Sequence, residues 1–497
     1  MFDTVLVANR GEIAVRIIRA CREMGLASVA VFSDVDRLSP HVLAADKAVR
    51  IGPAPASESY LRGDHLIEVA LSAGAGAIHP GYGFLAERAS FAAAVEKAGL
   101  VFIGPSPESI QAMGDKTEAR RRMAEAGVPI IPGALGPTSG PEEAAETARE
   151  LGFPVLLKPV AGGGGKGMRV VSEADQLPGA FESASREAEA AFGNGAIYVE
   201  KYLARPRHIE IQILGDQSGS VVHLGERECS IQRRHQKLIE ESPSPVLEPA
   251  DREAMGLAAV QAARAVDYRG LGTVEFLYED GEFYFLEMNT RLQVEHPVTE
   301  FVTGLDLVQW QIRVALGESL DFSQEDVSFS GHAIECRITS EDADQGFLPA
   351  TGCIDRLEIP SGPGVRWDGG IRAGSEIGLH YDPLLGKLIV HAATRTAAIA
   401  RMKRALGELV IHGVETSVPF HLRVMDEDDF GKGDFTIAYL EDHPELLRPS
   451  EGDVRLLALV AALLEHGAWG RVGAAGIKEL DGRKLSAWQT SGWPWQT

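Results

Sequence analysis

The sequence predicts an α/β protein of several domains, on three observations. Strand-like and helical segments alternate from Met1 to about Met113, as they do in parallel βαβ units. Four consecutive glycines, Gly162–Gly165, lie between two β-forming segments, and short alternating strands fill much of the rest. With 497 residues, of which 45% are hydrophobic, the chain is long enough for several cores rather than one.

The N-terminal alternation is the clearest of these patterns. Strands are predicted at TVLVA, ASVAVF, GAIHPGYGF and LVFIGP, and an amphipathic helix at EIAVRIIRACREMG. A parallel sheet follows from this order. The segment has no GxGxxG motif, so a dinucleotide site is not expected.

A smaller α+β unit is predicted between Ala119 and Tyr202, and it contains the glycine run. The unit is entered through GVPIIPGALGPTSGP, which suggests a lid on hinges. Gly167 follows Lys166, whereas a Walker A loop needs Ser or Thr there and then a helix. Two interpretations stay open: a mobile surface hairpin, or a flap whose bare N–H groups approach phosphate.

Strands with a period of two dominate from Leu203 to about Phe329, at HIEIQIL, SVVHLGE, GTVEFLY and FYFLEMN, before a helix around LDLVQWQIRVAL. Short strands and Gly/Pro turns continue to about Val390, and a helix follows at AAIARMKRAL. The tail segment DVRLLALVAALLEHGAW is apolar almost all round as a helix, so it is expected to pack on the C-terminal domain or against a partner. Four of the six tryptophans lie in or after it, hence the hypothesis that the tail docks a partner subunit.

Composition limits the partners and the compartment. The excess of 71 Asp and Glu over 48 Lys and Arg argues against nucleic acid or an anionic membrane as the main partner. The four cysteines lack CxxC spacing, which fits a reducing compartment, and Cys229 is expected to be a small buried residue. No basic leader and no long apolar run is present, so the expectation is a soluble, cytoplasmic protein.

The strongest chemical signal is a predicted hairpin in Gly272–Glu300. A strict two-residue loop would put Glu275 and Glu287 on opposite faces. A three-residue turn at Asp280–Glu282 instead pairs the two glutamates and puts Asn289 on their face. Facing carboxylates repel each other unless a divalent metal lies between them, and Mg²⁺ bridging nucleotide phosphates suits such oxygen ligands. The alternative is a solvated acidic face.

Polar side chains also alternate just beyond the hairpin, in NTRLQVEHP. If this segment is extended, Arg291, Gln293 and Glu295 lie on one side of it. Arginine can clamp a small planar oxyanion, glutamine can orient it, and glutamate can remove its proton. Surface salt bridging is the alternative.

A basic cluster stands out in this acidic chain, in GERECSIQRRHQK. It is either an exposed basic loop or an anion site. In the preceding PRHIEIQIL, three polar residues share one strand face, and the histidine among them is more typical of a structural role. The cluster consists of Arg227, Arg233, Arg234, His235 and Lys237, and the strand face of His208, Glu210 and Gln212.

Together these motifs resemble the biotin carboxylase branch of the ATP-grasp superfamily. The resemblance covers roughly the first 445 residues and includes VLVANRGEIAVRIIRA, AIHPGYGFLAE, MGDK, LLKPVAGGGGKGMRVV, ECSIQRRHQK, EMNTRLQVEHPVTE, ECRI, GFLPATG, YDPLLGKLIVH and IHGVETS. It implies an N-terminal biotin carboxylase domain at 1–115, an ATP-grasp domain at 116–329 with a mobile glycine-flap lid at about 131–203, a β-rich C-terminal biotin carboxylase domain at 330–447, and a helical Trp-rich tail at 448–497.

The resemblance also implies site roles. Glu295 matches the base that deprotonates bicarbonate, and Arg337 matches the group that stabilises the biotin enolate, with Tyr82 near the biotin pocket. Lys237, Arg291, Gln293 and the backbone of Val294 match the bicarbonate cradle, and Glu275, Glu287 and Asn289 the metal site. Nucleotide contacts are implied for Lys116, Lys158, Gly163, Gly164, Gly165, Lys166, Met168, Glu200, Lys201, Leu203, His208, Gln232 and His235.

The reaction implied is the ATP-dependent carboxylation of biotin through carboxyphosphate, with bicarbonate as substrate and Mg²⁺ or Mn²⁺ as metal. No AMKM motif occurs, so biotin is expected on a separate carrier protein that also serves a carboxyltransferase. We expect a homodimer that performs the first half-reaction of an acetyl- or propionyl-CoA carboxylase. The alternatives are the corresponding subunit of a two-subunit pyruvate carboxylase, another ATP-grasp ligase, or a subunit that only binds nucleotide. A carbamoyl-phosphate synthetase would show two tandem cores. Pro159 and Ala161 depart from the family pattern and bear on lid mobility.

Overall fold

A computed structural model describes residues 2–134, 136–160, 167–449 and 458–463. Its N-terminal part is a five-stranded, all-parallel sheet in the order β3-β2-β1-β4-β5, as the βαβ pattern predicts. The strands are β1 (Thr4–Val7), β2 (Ala27–Ser33), β3 (Lys47–Gly52), β4 (Ala77–His79) and β5 (Val101–Phe102). The helices are α1 (Gly11–Glu23), α2 (Pro40–Ala44), α3 (Gly63–Ala73), α4 (Ala89–Lys97) and α5 (Pro107–Gly114).

The next unit is a small antiparallel sheet with a hydrophobic core of its own. It comprises α7 (Pro141–Leu151), β6 (Val155–Pro159), β7 (Arg169–Val171), α8 (Leu177–Phe192) and β8 (Ile197–Lys201). Helix α6 (Lys116–Glu125) comes before this unit and contributes Ala119 and Met123 to a different core. Strands β6 and β7 pair as the hairpin that the glycine-flanking segments predict, with Val155 opposite Val171. The flap residues at 161–166, which include Gly163 to Lys166, lie outside the described residues.

The third sheet is antiparallel and has eight strands, in the order β13-β12-β9-β10-β11-β14-β21-β19. Its first half is β9 (Arg207–Gly215), β10 (Val221–Arg233), β11 (Gln236–Ser242), β12 (Gly270–Glu279) and β13 (Glu282–Asn289), with helices α9 (Pro249–Arg264), α10 (His296–Thr303) and α11 (Leu307–Ala315). Strands β9, β10, β12 and β13 and helix α11 occur where the sequence predicts them, whereas β11 is not among the predicted strands.

The sheet continues through β14 (His332–Thr339), which pairs with β11. One β-sheet therefore crosses the boundary expected near residue 330. The C-terminal region adds β15 (Glu341–Asp342), β16 (Leu348–Pro349), β17 (Gly352–Cys353), β18 (Arg356–Glu358), β19 (Val365–Gly369), β20 (Glu376–Ile377), β21 (Leu384–Ala392), α12 (Arg395–Glu408), β22 (Val410–His412), α13 (Val418–Asp426), α14 (Asp428–Lys432) and α15 (Tyr439–Asp442).

Residues 458–463 of the tail are helical, and their side chains, among them Leu459 and Leu463, are exposed. The four tail tryptophans, Trp469, Trp488, Trp493 and Trp495, lie outside the described residues. Within the described part of the chain, all helices are too short or too polar to cross a membrane. All four cysteines are free, and Cys229 is buried as expected.

Candidate active site

The β12–β13 hairpin brings Glu275 opposite Glu287, as the sequence predicts, but by a different route. The turn is a two-residue loop, in which Asp280 and Gly281 have φ angles of 53° and 84°. The predicted three-residue turn is therefore wrong. A register shift after Glu275 leaves Leu286 as an extra residue, and this β-bulge restores the pairing of the two glutamates.

The two facing carboxylates have unlike surroundings. The Oε1 atom of Glu275 accepts hydrogen bonds from Lys237 at 2.9 Å, Asn289 at 2.8 Å and Gln293 at 3.1 Å. Burial opposes its ionisation, but Lys237 and His208 outweigh burial, so the pKa of Glu275 lies below its usual range.

Glu287 is only partly exposed, and no cation pairs with it among the described side chains. Partial burial, followed by repulsion from Glu275, raises the pKa of Glu287. An uncompensated carboxylate facing another is a fitting place for a divalent cation. Asn289 lies beside this pair, because its Nδ2 donates to Glu275 and its Oδ1 accepts from Arg291.

Lys237, on β11, is the centre of the buried charge network. Its Nζ lies 2.9 Å from Glu275 and 2.6 Å from Glu295, and it also contacts Glu210. Burial opposes the charge of Lys237, yet these three carboxylates raise its pKa well above its usual value. The lysine is therefore fixed as a cation at the point where three strands and the turn after β13 meet.

The structure divides the predicted basic cluster into two parts. Arg227 is fully buried: its Nε lies 2.5 Å from Glu210, and it donates to Gln212 at 2.7 Å. It holds the polar face of β9 together, and so it is not on an exposed loop. Arg234 and His235 form the exposed β10–β11 turn, with φ angles of 50° and 65°.

The segment after β13 is a turn rather than an extended strand, yet it gathers the predicted side chains. Arg291 Nη1 donates to Gln293 Oε1 at 2.7 Å, and Arg291 Nε donates to Glu87 at 2.9 Å. Gln293 is buried beside Glu275, and Val294 presents its carbonyl to Lys387 at 2.7 Å. A cation, an amide and turn backbone therefore lie next to Lys237.

Glu295 ends this turn immediately before α10 and has no exposed surface. Its Oε1 lies 2.6 Å from Lys237 and its Oε2 lies 2.9 Å from Arg337. Burial alone would raise its pKa, but Lys237, Arg337 and Arg227 together hold the pKa of Glu295 well below its usual value. An ionised acceptor of protons therefore lies between two cations.

Arg337, on β14, joins Glu295 to a second buried carboxylate, since its Nε donates to Glu240 at 2.6 Å. Tyr82 reaches the same region from the loop after β4, and its hydroxyl donates to the buried Glu12. Arg337, at the end of this network, has N–H donors to which a polar ring could bind, and Tyr82 lies nearby.

Positive charge also converges on the small sheet. Lys158 Nζ, on β6, lies 2.6 Å from Glu200 on β8, and Arg120 contacts the same carboxylate. Burial, then the like charges of Arg120 and Lys116, lower the pKa of Lys158 to about 8. Such a surplus of positive charge suits phosphate.

The other predicted nucleotide contacts differ in their exposure. Lys201, at the end of β8, and Met168, beside the flap, are exposed, whereas Leu203 and His208 are buried. Gln232 donates to the Cys229 carbonyl at 2.9 Å. Sequence reasoning missed Arg120, Glu240 and Lys387, whose partners are distant in sequence and carry no local motif.

Comparison with known proteins matches three family models in sequence order. They are "Biotin carboxylase, N-terminal domain" over residues 1–110, "Carbamoyl-phosphate synthase L chain, ATP binding domain" over 115–323, and "Biotin carboxylase C-terminal domain" over 335–442. The ATP-binding domain matches over a single range of the chain.

Two relatives and one solved structure illustrate the similarity. A pyruvate carboxylase subunit of Methanothermobacter thermautotrophicus is 53% identical over 89% of this chain and 90% of the relative. "Biotin carboxylase" of Nostoc sp. is 52% identical over 89% and 99%. The biotin carboxylase domain dimer of Hydrogenobacter thermophilus 2-oxoglutarate carboxylase, solved in complex with MgADP, ADP and bicarbonate, has a TM-score of 0.84 and 49% identity over 91% of this chain and all of that one. The chain therefore belongs to the biotin carboxylase family of ATP-dependent ligases.

Proposed function

We propose that this protein uses MgATP and bicarbonate to carboxylate biotin attached to a separate carrier protein. The observation that carries the proposal is the position of Glu295, buried between Lys237 on one side and Arg337 on the other. A base in that position can serve an anion held by Lys237 and a second substrate held by Arg337. The Hydrogenobacter relative solved in complex with MgADP and bicarbonate supports the choice of these two ligands.

Bicarbonate is proposed to bind among Lys237, Arg291, Gln293 and the Val294 backbone. The cations Lys237, Arg337 and Arg227 hold the pKa of Glu295 too low for an efficient base. A bound anion takes up part of the charge of Lys237, and this raises the pKa of the adjacent Glu295. Substrate binding itself thus prepares the base for proton removal.

The metal is assigned to the facing carboxylates Glu275 and Glu287. When bound, Mg²⁺ would offset charge on the phosphoryl group that is transferred. Lys116 and Lys158, with the Gly163–Lys166 flap, are assigned to the ATP phosphates. The surplus of positive charge around Lys158 supports that assignment.

The reaction follows from these positions. Glu295 takes the bicarbonate proton, and the bicarbonate oxygen attacks the γ-phosphorus of ATP, which gives carboxyphosphate and releases ADP. Carboxyphosphate splits into CO₂ and phosphate, and the phosphate removes the ureido N–H proton of biotin. The ureido nitrogen then bonds to CO₂ while Arg337 stabilises the enolate oxygen, a role that suits a residue which stays charged. The flap excludes water from the labile intermediate.

The carboxyl group is proposed to pass to acetyl- or propionyl-CoA on a separate carboxyltransferase, with this chain acting as a cytoplasmic homodimer. Relatives named for pyruvate and 2-oxoglutarate carboxylases make those acids the competing acceptors. The choice depends on the carboxyltransferase, so the purified chain should be combined with carrier and carboxyltransferase from the same source. Transfer of labelled bicarbonate to each of the four acceptors decides between them.

The first test needs the chain alone. ATP hydrolysis should depend on bicarbonate and should be stimulated by free biotin. Hydrolysis that instead depends on an amine or another carboxylate would indicate a different ATP-grasp ligase. Nucleotide binding without bicarbonate-dependent hydrolysis would contradict the proposal and indicate a subunit that only binds nucleotide.

A further inference from the structure

Two buried carboxylic side chains face each other behind Arg337. Glu335 on β14 and Glu240 on β11 are direct partners in the antiparallel register, so their side chains lie on the same face of the sheet. Neither has exposed surface. Arg337 donates to Oε1 of Glu240. Among the described residues, however, Oε2 of Glu240 and both oxygens of Glu335 have no hydrogen-bond partner.

Three unpartnered oxygens on two facing carboxyls are costly if both groups are ionised. Buried polar groups are normally hydrogen-bonded, and two like charges on directly paired residues repel each other in a medium of low polarity. One proton removes both costs. A protonated carboxyl has an O–H that can donate to the facing carboxylate, as in other pairs of buried acids that share a proton.

The neighbouring charges indicate which group carries that proton. Arg337 pairs directly with Glu240 and stabilises its ionised form. From the other side, the charge of Lys387 on β21 acts on Glu335, but its ammonium donates to the Val294 carbonyl and pairs with Glu12 at 3.2 Å.

The acidities agree with this assignment. Burial, then Glu240 and Glu295, raise the pKa of Glu335 well above its usual value, against the opposing charges of Lys387 and Arg337. Burial raises the pKa of Glu240 only to about 7, against Arg337. The proton therefore occupies Glu335 first.

We propose that Glu335 is a neutral carboxylic acid that donates a hydrogen bond to Oε2 of Glu240, and that this bond holds Glu240 in place to position Arg337 for biotin. Glu335 is thus a positioning residue that acts through Glu240. The role of Arg337 toward biotin is taken from the proposed function, and the inference rests on it.

The proposal is tested first without any activity. In the infrared difference spectrum of wild type minus Glu335→Gln, a protonated-carboxyl C=O band should appear at neutral pH and shift in D₂O. Absence of this band would show that Glu335 is ionised and would overturn the proposal. This measurement is independent of the reaction, so it stays informative if the proposed function fails.

Activity then tests positioning. Glu335→Gln keeps a neutral donor and should stay within about threefold of the wild-type kcat/KM for free biotin. Glu335→Met removes the donor at similar length and should lower that value by about tenfold or more, because Oε2 of Glu240 is left without a donor. MgADP affinity should be the same in both variants.

Each remaining outcome is also decisive. Equal losses in Glu335→Gln and Glu335→Met, or full activity in Glu335→Met, would overturn the positioning role. If Glu335→Met does not fold, the infrared band and the retained activity of Glu335→Gln still decide. Wild-type protein that lacks biotin-stimulated hydrolysis would instead refute the proposed function, with the infrared result unaffected.

Discussion

Replacing Glu295 by glutamine tests the proposed base most directly. The substitution keeps the size of a side chain that has no exposed surface but removes the group that can accept a proton. Loss of a general base costs about 10²- to 10⁴-fold, or about 3 to 5 kcal/mol of transition-state stabilisation. We expect kcat for bicarbonate-dependent ATP hydrolysis to fall by that factor, while MgADP affinity measured by calorimetry is retained.

The same substitution should also lower the free energy of unfolding, and the remaining ion pairs of Lys237 and Arg337 limit the loss. Lys237 keeps Glu210 and Glu275 as partners, and Arg337 keeps Glu240, so neither cation is left unpaired. The cost should therefore be nearer to that of one lost buried hydrogen-bonding group, about 1 to 3 kcal/mol in the free energy of unfolding, than to that of an isolated buried charge.

Glu241→Gln is the matched control. Glu241 is also buried on β11, where it pairs with His332 at 2.6 Å and Arg395 at 2.7 Å. The two variants should lose comparable stability in denaturant titrations, and only Glu295→Gln should lose turnover. Activity of Glu295→Gln within about threefold of wild type would refute the assignment of the base. An equal loss of turnover in Glu241→Gln would show that the effect is structural.

Three further outcomes are expected. The pKa of Lys158 is lowered to about 8, so this lysine should regain a proton when phosphates bind. At about pH 9, MgADP binding should therefore take up a proton in the wild type but not in Lys158→Met. Calorimetry in two buffers of different ionisation enthalpy measures the uptake, and equal uptake by both proteins would contradict the prediction. Glu287→Ala should weaken MgADP binding by about tenfold or more, whereas Glu282→Ala at the exposed turn of the same hairpin should leave it unchanged; unaltered affinity in the first variant would show the facing pair to be structural. Deletion of residues 450–497 should leave activity on free biotin intact and weaken co-purification with the carrier or carboxyltransferase; an insoluble truncated protein would assign the tail to the core.

The features that the sequence predicts well are local ones. The parallel N-terminal sheet follows from alternating apolar strands and an amphipathic helix, because these periods repeat within a few residues. The hairpin that faces Glu275 and Glu287 was also predictable, since both strands lie within twenty residues of each other. Its bulge at Leu286 was not, because a single extra residue leaves no mark on composition.

The features that the sequence does not predict depend on strands far apart along the chain. The alternation in β9 puts His208, Glu210 and Gln212 on one face, but the strand is buried along its whole length, and alternation does not reveal which strands supply the partners of these side chains. Glu240 meets Glu335 only because β11 pairs with β14, and this pairing carries the sheet past the expected boundary near residue 330. The polar character of each glutamate alone gives no reason to connect them.

The proposed chemistry needs fixed distances between the reacting groups and closure over the nucleotide, and these two requirements are met by different sheets. Lys237, Glu275 and Arg337 lie on strands of one eight-stranded sheet, and Glu295 lies on the turn that leaves its edge strand, so their mutual distances are fixed by continuous backbone hydrogen bonding. Lys158 and the strands that flank the glycine flap belong to a different, three-stranded sheet with a separate core. A body with its own core can shift without distorting its neighbour. In the proposed reaction, closure of this sheet over the nucleotide would exclude water from carboxyphosphate without changing the distances from the base to its two cations.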